Sequence, residues 1–155
     1  MNLLAIETSC DETAAAVLDA GGTVLSNIVS SQQAVHERFG GVVPELASRA
    51  HVEKIEQTAG LAMNEARMIW KDLAAVAVTQ GPGLAGALIV GLNYAKALGY
   101  ALGIPVATSL NAKELIPAVH PLSVGVVILT FAHLIAVVPR QRGDVSAVEA
   151  RGRIS

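Results

Sequence analysis

The stretch from Leu73 to Thr108 constrains the fold more than any other. Leu73 to Thr79 is an apolar run of strand length, Gln80-Gly81-Pro82-Gly83 is a turn, Leu84 to Leu102 is apolar nearly all round, and Ile104 to Thr108 is apolar again. Strand, glycine turn, helix and strand in alternation build an α/β layer. A helix without a polar face predicts burial on several sides. Upstream, Leu3 to Glu7 and Ala14 to Leu18 flank the polar cluster Thr8-Ser9-Cys10-Asp11-Glu12-Thr13. Gly21-Gly22 then turns the chain into Thr23 to Val29, a hairpin signal. Ser30 to Phe39 is polar, a loop or short helix, and Gly40-Gly41 breaks it. Pro is favoured in a first helical turn, so Pro44 opens a helix that runs to about Ala66. Leu46, Val52, Ile55, Ala59 and Ala62 recur along it at helical spacing. Asn111 to Val119 predicts a further short helix, and Val124 to Leu129 and Leu134 to Val138 predict strands. The order predicts a mixed sheet with helices packed on it.

At 155 residues the chain holds one compact domain and not two large lobes. Hydrophobic residues make up 52% and aromatics only 3%, so the core is built from Ala, Val, Leu and Ile. From Pro139 to Ser155 the composition turns to Arg, Gly and Asp, which sets residues 1–138 apart as the lobe and 139–155 as a tail of doubtful order. The formal charge of −2 lacks the electrostatic footprint of a free-standing nucleic-acid binder. A lone cysteine, Cys10, excludes an internal disulfide and fits a reducing compartment. The N-terminus has no basic segment before Glu7, Asp11 and Glu12, so no secretory leader is expected and a cytoplasmic location is. Gly83 to Gly103 approaches the length of a bilayer span, but it carries Asn93, Lys96 and five glycines and ends at Pro105, so it is read as a buried helix.

Three segments carry candidate chemistry. Hydroxyls and amides in the Thr8–Thr13 turn can cradle phosphate oxygens, and Asp11 and Glu12 can hold a magnesium ion through water. An ordinary hydrophilic hairpin turn has the same composition. Gly81-Pro82-Gly83 lets a ligand approach the backbone, and the helix behind it offers free N–H groups to an anion, although a strand-to-helix turn needs glycine anyway. No Gly-Lys-Ser/Thr follows, so it is not a P-loop. In Gly40-Gly41-Val42-Val43-Pro44-Glu45-Leu46-Ala47-Ser48-Arg49-Ala50-His51, a solvated helix face accounts for Glu45, Arg49 and His51 taken singly. His36 and His51 are too far apart in sequence for a local ligand pair, and His133 lies in an apolar strand.

Together, Ile6 to Thr13, Gly40 to His51 and Gly81-Pro82-Gly83-Leu84 resemble the TsaD family (also called Kae or Gcp) in order and interval, over the first two thirds of the chain. The resemblance implies an α/β, actin-like and Hsp70-like ATPase fold with a ribonuclease H-like sheet, of which this is the N-terminal lobe. It implies transfer of threonylcarbamoyl from threonylcarbamoyl-AMP to N6 of the adenosine beside the tRNA anticodon, with TsaB-like and TsaE-like partners. Thr8, Ser9, Gly81, Pro82, Gly83 and His133 match nucleotide- and phosphate-side positions, and Asp11 and Glu12 match acids tied to catalysis. The family binds Fe2+ or Zn2+ through a His-x-x-x-His helix, whose two positions are Asn111 and Leu115 here. Leu cannot ligate a metal and Asn is a poor transition-metal ligand, so no metal is expected on this chain. The family's Ser-Gly-Gly-His motif is Thr130-Phe131-Ala132-His133 here, which keeps only the histidine. An impaired, truncated transferase is the expectation. The alternatives are a noncatalytic module that pairs with a TsaB-like partner and an inactive remnant.

Overall fold

The computed structural model describes residues 2–110. The expected elements beyond Asn111, the lobe boundary at 138 and the tail 139–155 lie outside the described residues, as do Asn111, Leu115 and His133.

Five strands form one sheet in the order β3-β2-β1-β4-β5. β1 (Asn2–Glu7), β2 (Glu12–Leu18) and β3 (Val24–Ser31) make an antiparallel meander. β4 (Leu73–Gly81) lies parallel to β1, and β5 (Val106–Leu110) lies parallel to β4. A short helix, α1 (Gln33–His36), and a 3-10 turn (Glu37–Phe39) follow β3. The long helix α2 (Pro44–Glu65) links the meander to β4, and α3 (Ala85–Leu102) links β4 to β5. Parallel neighbours need such crossovers, because their adjoining ends lie a full strand length apart.

Strand alternation sorts the core. Leu4, Ile6, Ala15, Val17, Val76 and Val78 point to the face that carries Ile55, Ala59, Ala62 and Met63 of α2 and Ala95 of α3. Leu3, Ala5, Ala16, Leu18, Ala75 and Ala77 are buried on the opposite face. Gly103, at φ +66, ends α3, and the Ile104 amide donates back to the Gly99 carbonyl at 3.0 Å. Glycine takes that left-handed conformation without a Cβ penalty.

Two expectations about helix faces fail. α2 does not bury Val52, which is 64% exposed; the stripe against the sheet is Ala47, Ala50, His51, Ile55, Thr58, Ala59, Ala62 and Met63. Small residues let the helix lie close to β2 and β3, and the bulkier Val52 falls outside that contact. α3 is not buried on several sides either. Among the described residues only Ala87, Gly91, Ala95 and Gly99 are fully buried on it, while Ile89 is 56% exposed. By length and composition α3 could cross a membrane, but here its small-residue stripe packs on β4 and its flank on α2.

Candidate functional site

The pairing Ile6↔Val78 and Gly81↔Leu110 brings the carboxyl ends of β1, β4 and β5 to one edge of the sheet. In an open α/β sheet that edge is where ligands gather. Here the β1–β2 turn meets the β4–α3 turn. The Leu84 amide donates to the Ser9 carbonyl at 2.8 Å. A Cβ on Gly83 would lie 2.5 Å from that carbonyl oxygen and 2.7 Å from Ser9 Cβ, so only glycine fits the approach. Gly81 belongs to β4 rather than to the turn, and it is joined to Pro82 by a cis peptide. Pro82 and Gly83 are exposed beside it.

Unlike an ordinary hydrophilic hairpin turn, this one is directed inward. Thr8, Ser9 and Thr13 are fully buried, and Asp11 and Glu12 are half-buried. Thr8 Oγ1 donates to the Ala87 carbonyl at 2.9 Å, and the Ser9 amide donates to Glu7 Oε1 at 2.6 Å. The Gln32 amide donates to the Asp11 carbonyl at 3.0 Å, which ties the turn to the end of β3 as well. A cavity of about 200 Å³ opens beside it, lined by Asp11, Gln33, His36, Glu37, Gly41 and Val42. The structure thus gathers Thr8, Ser9, Asp11, Glu12, Gly81, Pro82 and Gly83 at one edge. Among the described residues no group of three His, Cys, Asp or Glu side chains could hold a metal ion.

His51 does not lie on a solvated helix face. It is fully buried, and its Nε2 sits 3.2 Å from the Cys10 carbonyl. Its Nδ1 faces Thr13 Oγ1 at 2.8 Å and Gln32 Nε2 at 3.1 Å. His36, remote in sequence, joins the same network, with Nε2 at 3.3 Å from Gln32 Oε1. Burial pushes the His51 imidazole below its ordinary value of 6.5, against the opposing pull of the Cys10 carbonyl and the Asp11 charge. A signal for His51 was present in the four-residue spacing Ala47, His51, Ile55, which sets a histidine on the stripe that faces the sheet.

Away from this edge, an apolar groove of about 380 Å³ runs between α2 and α3, with Val52, Ile55, Ile89, Val90 and Tyr94 on its walls. Burial, then the Glu56 carboxylate, push the Tyr94 phenol up.

A meander joined by α2 and α3 to two parallel strands, with polar turns at their shared edge, is a lobe of the actin-like fold. YeaZ from Pseudomonas aeruginosa has this fold at a TM-score of 0.55 and 21% identity, over 71% of this chain and 43% of YeaZ. The sequence matches TsaD, tRNA N6-adenosine threonylcarbamoyltransferase, over residues 23–114, and the chain belongs to that family. A tRNA N6-adenosine threonylcarbamoyltransferase of Halalkalibacterium halodurans is 62% identical over 103 residues, which is 66% of this chain and 30% of the relative. One of Clostridium kluyveri is 59% identical over 105 residues, 68% of this chain and 31% of the relative. The chain therefore spans about a third of the length of the curated relatives it matches.

Proposed function

We propose that this chain is the nucleotide-side lobe of a TsaD-type transferase in tRNA threonylcarbamoyladenosine synthesis, and that it does not turn over alone. The buried, pinned β1–β2 turn carries this reading. A turn that merely reversed the chain would leave Thr8 and Ser9 in water, whereas both are buried, Thr8 held to Ala87 and Ser9 to Leu84. In this assignment Thr8, Ser9, Gly81, Pro82 and Gly83 form the phosphate side, with His133 from outside the described residues. The first turn of α3 adds backbone N–H groups that favour an anion. Asp11 and Glu12 orient the reacting groups of threonylcarbamoyl-AMP.

The family's Fe2+ or Zn2+ does not fit this chain's donors. Asn111 and Leu115 stand where two histidines would, and leucine has no donor atom. Transfer needs groups on both sides of the reacting atoms, and a single lobe holds one side. Mixing the chain with threonylcarbamoyl-AMP and unmodified tRNA tests this: no modified adenosine is expected, and product formed by the chain alone overturns the inactive assignment. Titration with threonylcarbamoyl-AMP should shift the amide resonances of Ser9, Asp11 and Gly83. Silence at all three refutes the nucleotide-side role.

The net charge of −2 leaves tRNA contact to a partner or to a further segment. A TsaB-like partner fits the groove between α2 and α3, where Val52 and Ile89 are exposed and Ile55, Val90 and Tyr94 line the walls. A TsaE-like protein would join that pair, in the cytoplasm. Val52→Asp should abolish co-elution with a TsaB-like protein while leaving the fold intact by circular dichroism.

A further inference from the structure

Four hydrogen bonds run in a single direction from the start of α2 to the β1–β2 turn, and a fifth enters them from Thr13. The chemistry at the two ends fixes every donor between them. The Val43 backbone N–H can only donate, and it faces His36 Nδ1 at 3.4 Å. His36 Nδ1 therefore accepts, and the proton of the neutral ring sits on Nε2, which donates to Gln32 Oε1 at 3.3 Å. That orients the Gln32 amide so that its NH2 donates to His51 Nδ1 at 3.1 Å. The Thr13 hydroxyl donates to the same Nδ1 at 2.8 Å. His51 then carries its proton on Nε2, which donates to the Cys10 carbonyl at 3.2 Å, a group that can only accept. With both imidazoles neutral and protonated on Nε2 every donor faces an acceptor, the Gln32 NH2 and the Thr13 hydroxyl sharing the one lone pair of His51 Nδ1. An imidazolium at His51 would set its Nδ1–H against the Gln32 NH2, whose amide cannot turn over without losing His36.

Two of the three contacts of His51 bracket the carboxylates. Cys10 precedes Asp11, and Thr13 follows Glu12. We propose that His51 is a positioning residue for Asp11 and Glu12: as the neutral Nε2–H tautomer it holds the backbone on both sides of them, and the chain through Gln32 and His36 enforces that tautomer. This rests on the reading that the two carboxylates act at the nucleotide-side edge. Its hydrogen bonds go to Cys10, Thr13 and Gln32, so it acts on the two carboxyl groups through the backbone and Thr13. The group is fully buried, so it exchanges no partner with water. The titratable groups that face it are Asp11 of the turn, Lys54 of its own helix and His36 of α1.

The test uses the unmodified chain and two substitutions that each keep half of the imidazole. Glutamine places its NH2 near the Nε2 position, and asparagine places its oxygen near the Nδ1 position. In the unmodified chain, nitrogen-15 shifts should show His51 as the Nε2–H tautomer at pH 7.5. His51→Gln should keep the backbone amides of residues 9–13 protected from hydrogen exchange. His51→Asn should make them exchange about tenfold faster while the amides of β1 and β4 stay unchanged. An Nδ1–H tautomer, an imidazolium at pH 7.5, or equal loss of protection across the sheet overturns the assignment. The tautomer measurement stands even if a substituted chain does not fold. Titration with threonylcarbamoyl-AMP separates the two claims: no binding by the unmodified chain refutes the nucleotide-side role, and the tautomer and exchange pattern still decide for or against His51.

Discussion

Two polar turns flank β2, and they are built on opposite plans. The turn between β2 and β3 holds itself together. Asp19 Oδ1 accepts from the Gly21 amide at 2.7 Å and the Thr23 amide at 2.9 Å, and Gly22 takes the left-handed region at φ +83. The turn between β1 and β2 has no glycine. It is held by Ala87, Leu84, Gln32 and His51, which come from three other parts of the chain. The first turn can form as soon as its strands meet. The second exists only when α2 and α3 are docked, so its geometry reports on the assembled fold. A site placed there inherits its precision from the whole lobe.

The largest predicted contrast is between glycines. Gly83→Ala should destabilise the chain by about 1–3 kcal/mol in urea unfolding, because the added methyl meets Ser9 backbone rather than a flexible chain end. Gly21→Ala meets side chains alone, the Asp19 carboxylate at 3.2 Å and Thr23 Oγ1 at 4.0 Å, and should stay within about 0.5 kcal/mol. Equal costs at the two positions would break the comparison. Next comes Thr8→Val, which keeps the shape, removes the donor to Ala87 and should cost about 1 kcal/mol in the same assay.

Proton linkage sharpens the contrast further. Burial lowers the His51 imidazole in the folded chain, so the unfolded chain binds the proton more readily. Its contribution to stability is complete above the ordinary value of 6.5 and falls as the pH drops below it. His51→Gln should flatten that part of the stability profile. The smallest effect belongs to Asp19. The Thr23 amide, then the Gly21 amide, hold its carboxyl below the ordinary 3.8, so its contribution is present above that value and fades only as the pH falls through the lowered one. Asp19→Asn should lower stability slightly at neutral pH, make no difference once the pH has fallen below the lowered value, and leave the amide exchange of residues 9–13 untouched.

Much of the fold was legible in the sequence because strands and glycine breaks are local signals. Leu3 to Glu7, Leu73 to Thr79 and the helix opened by Pro44 appear within a residue or two of their expected ends. Which helix face turns inward was partly legible: Ile55, Ala59 and Ala62 of the expected stripe are buried, while in place of Leu46 and Val52 the sheet accepts Ala47 and Ala50, because closeness matters there more than bulk. The site was half legible. Family motifs marked Thr8, Ser9, Asp11 and Gly83, but nothing local announces that Thr8 and Ser9 are buried. His51 escaped because its partners, Cys10, Thr13 and Gln32, lie 19 to 41 positions away.

The small stripe on α3 has a mechanical meaning. Ala87, Gly91, Ala95 and Gly99 repeat every fourth residue, like teeth on a rack. A slip by one residue would bring Leu88 and Leu92 into slots cut for a hydrogen or a methyl. The next setting that fits is a whole step of about 6 Å away. The helix is thus indexed rather than merely glued to the sheet, and the amide of Leu84 at its head reaches the Ser9 carbonyl at one distance.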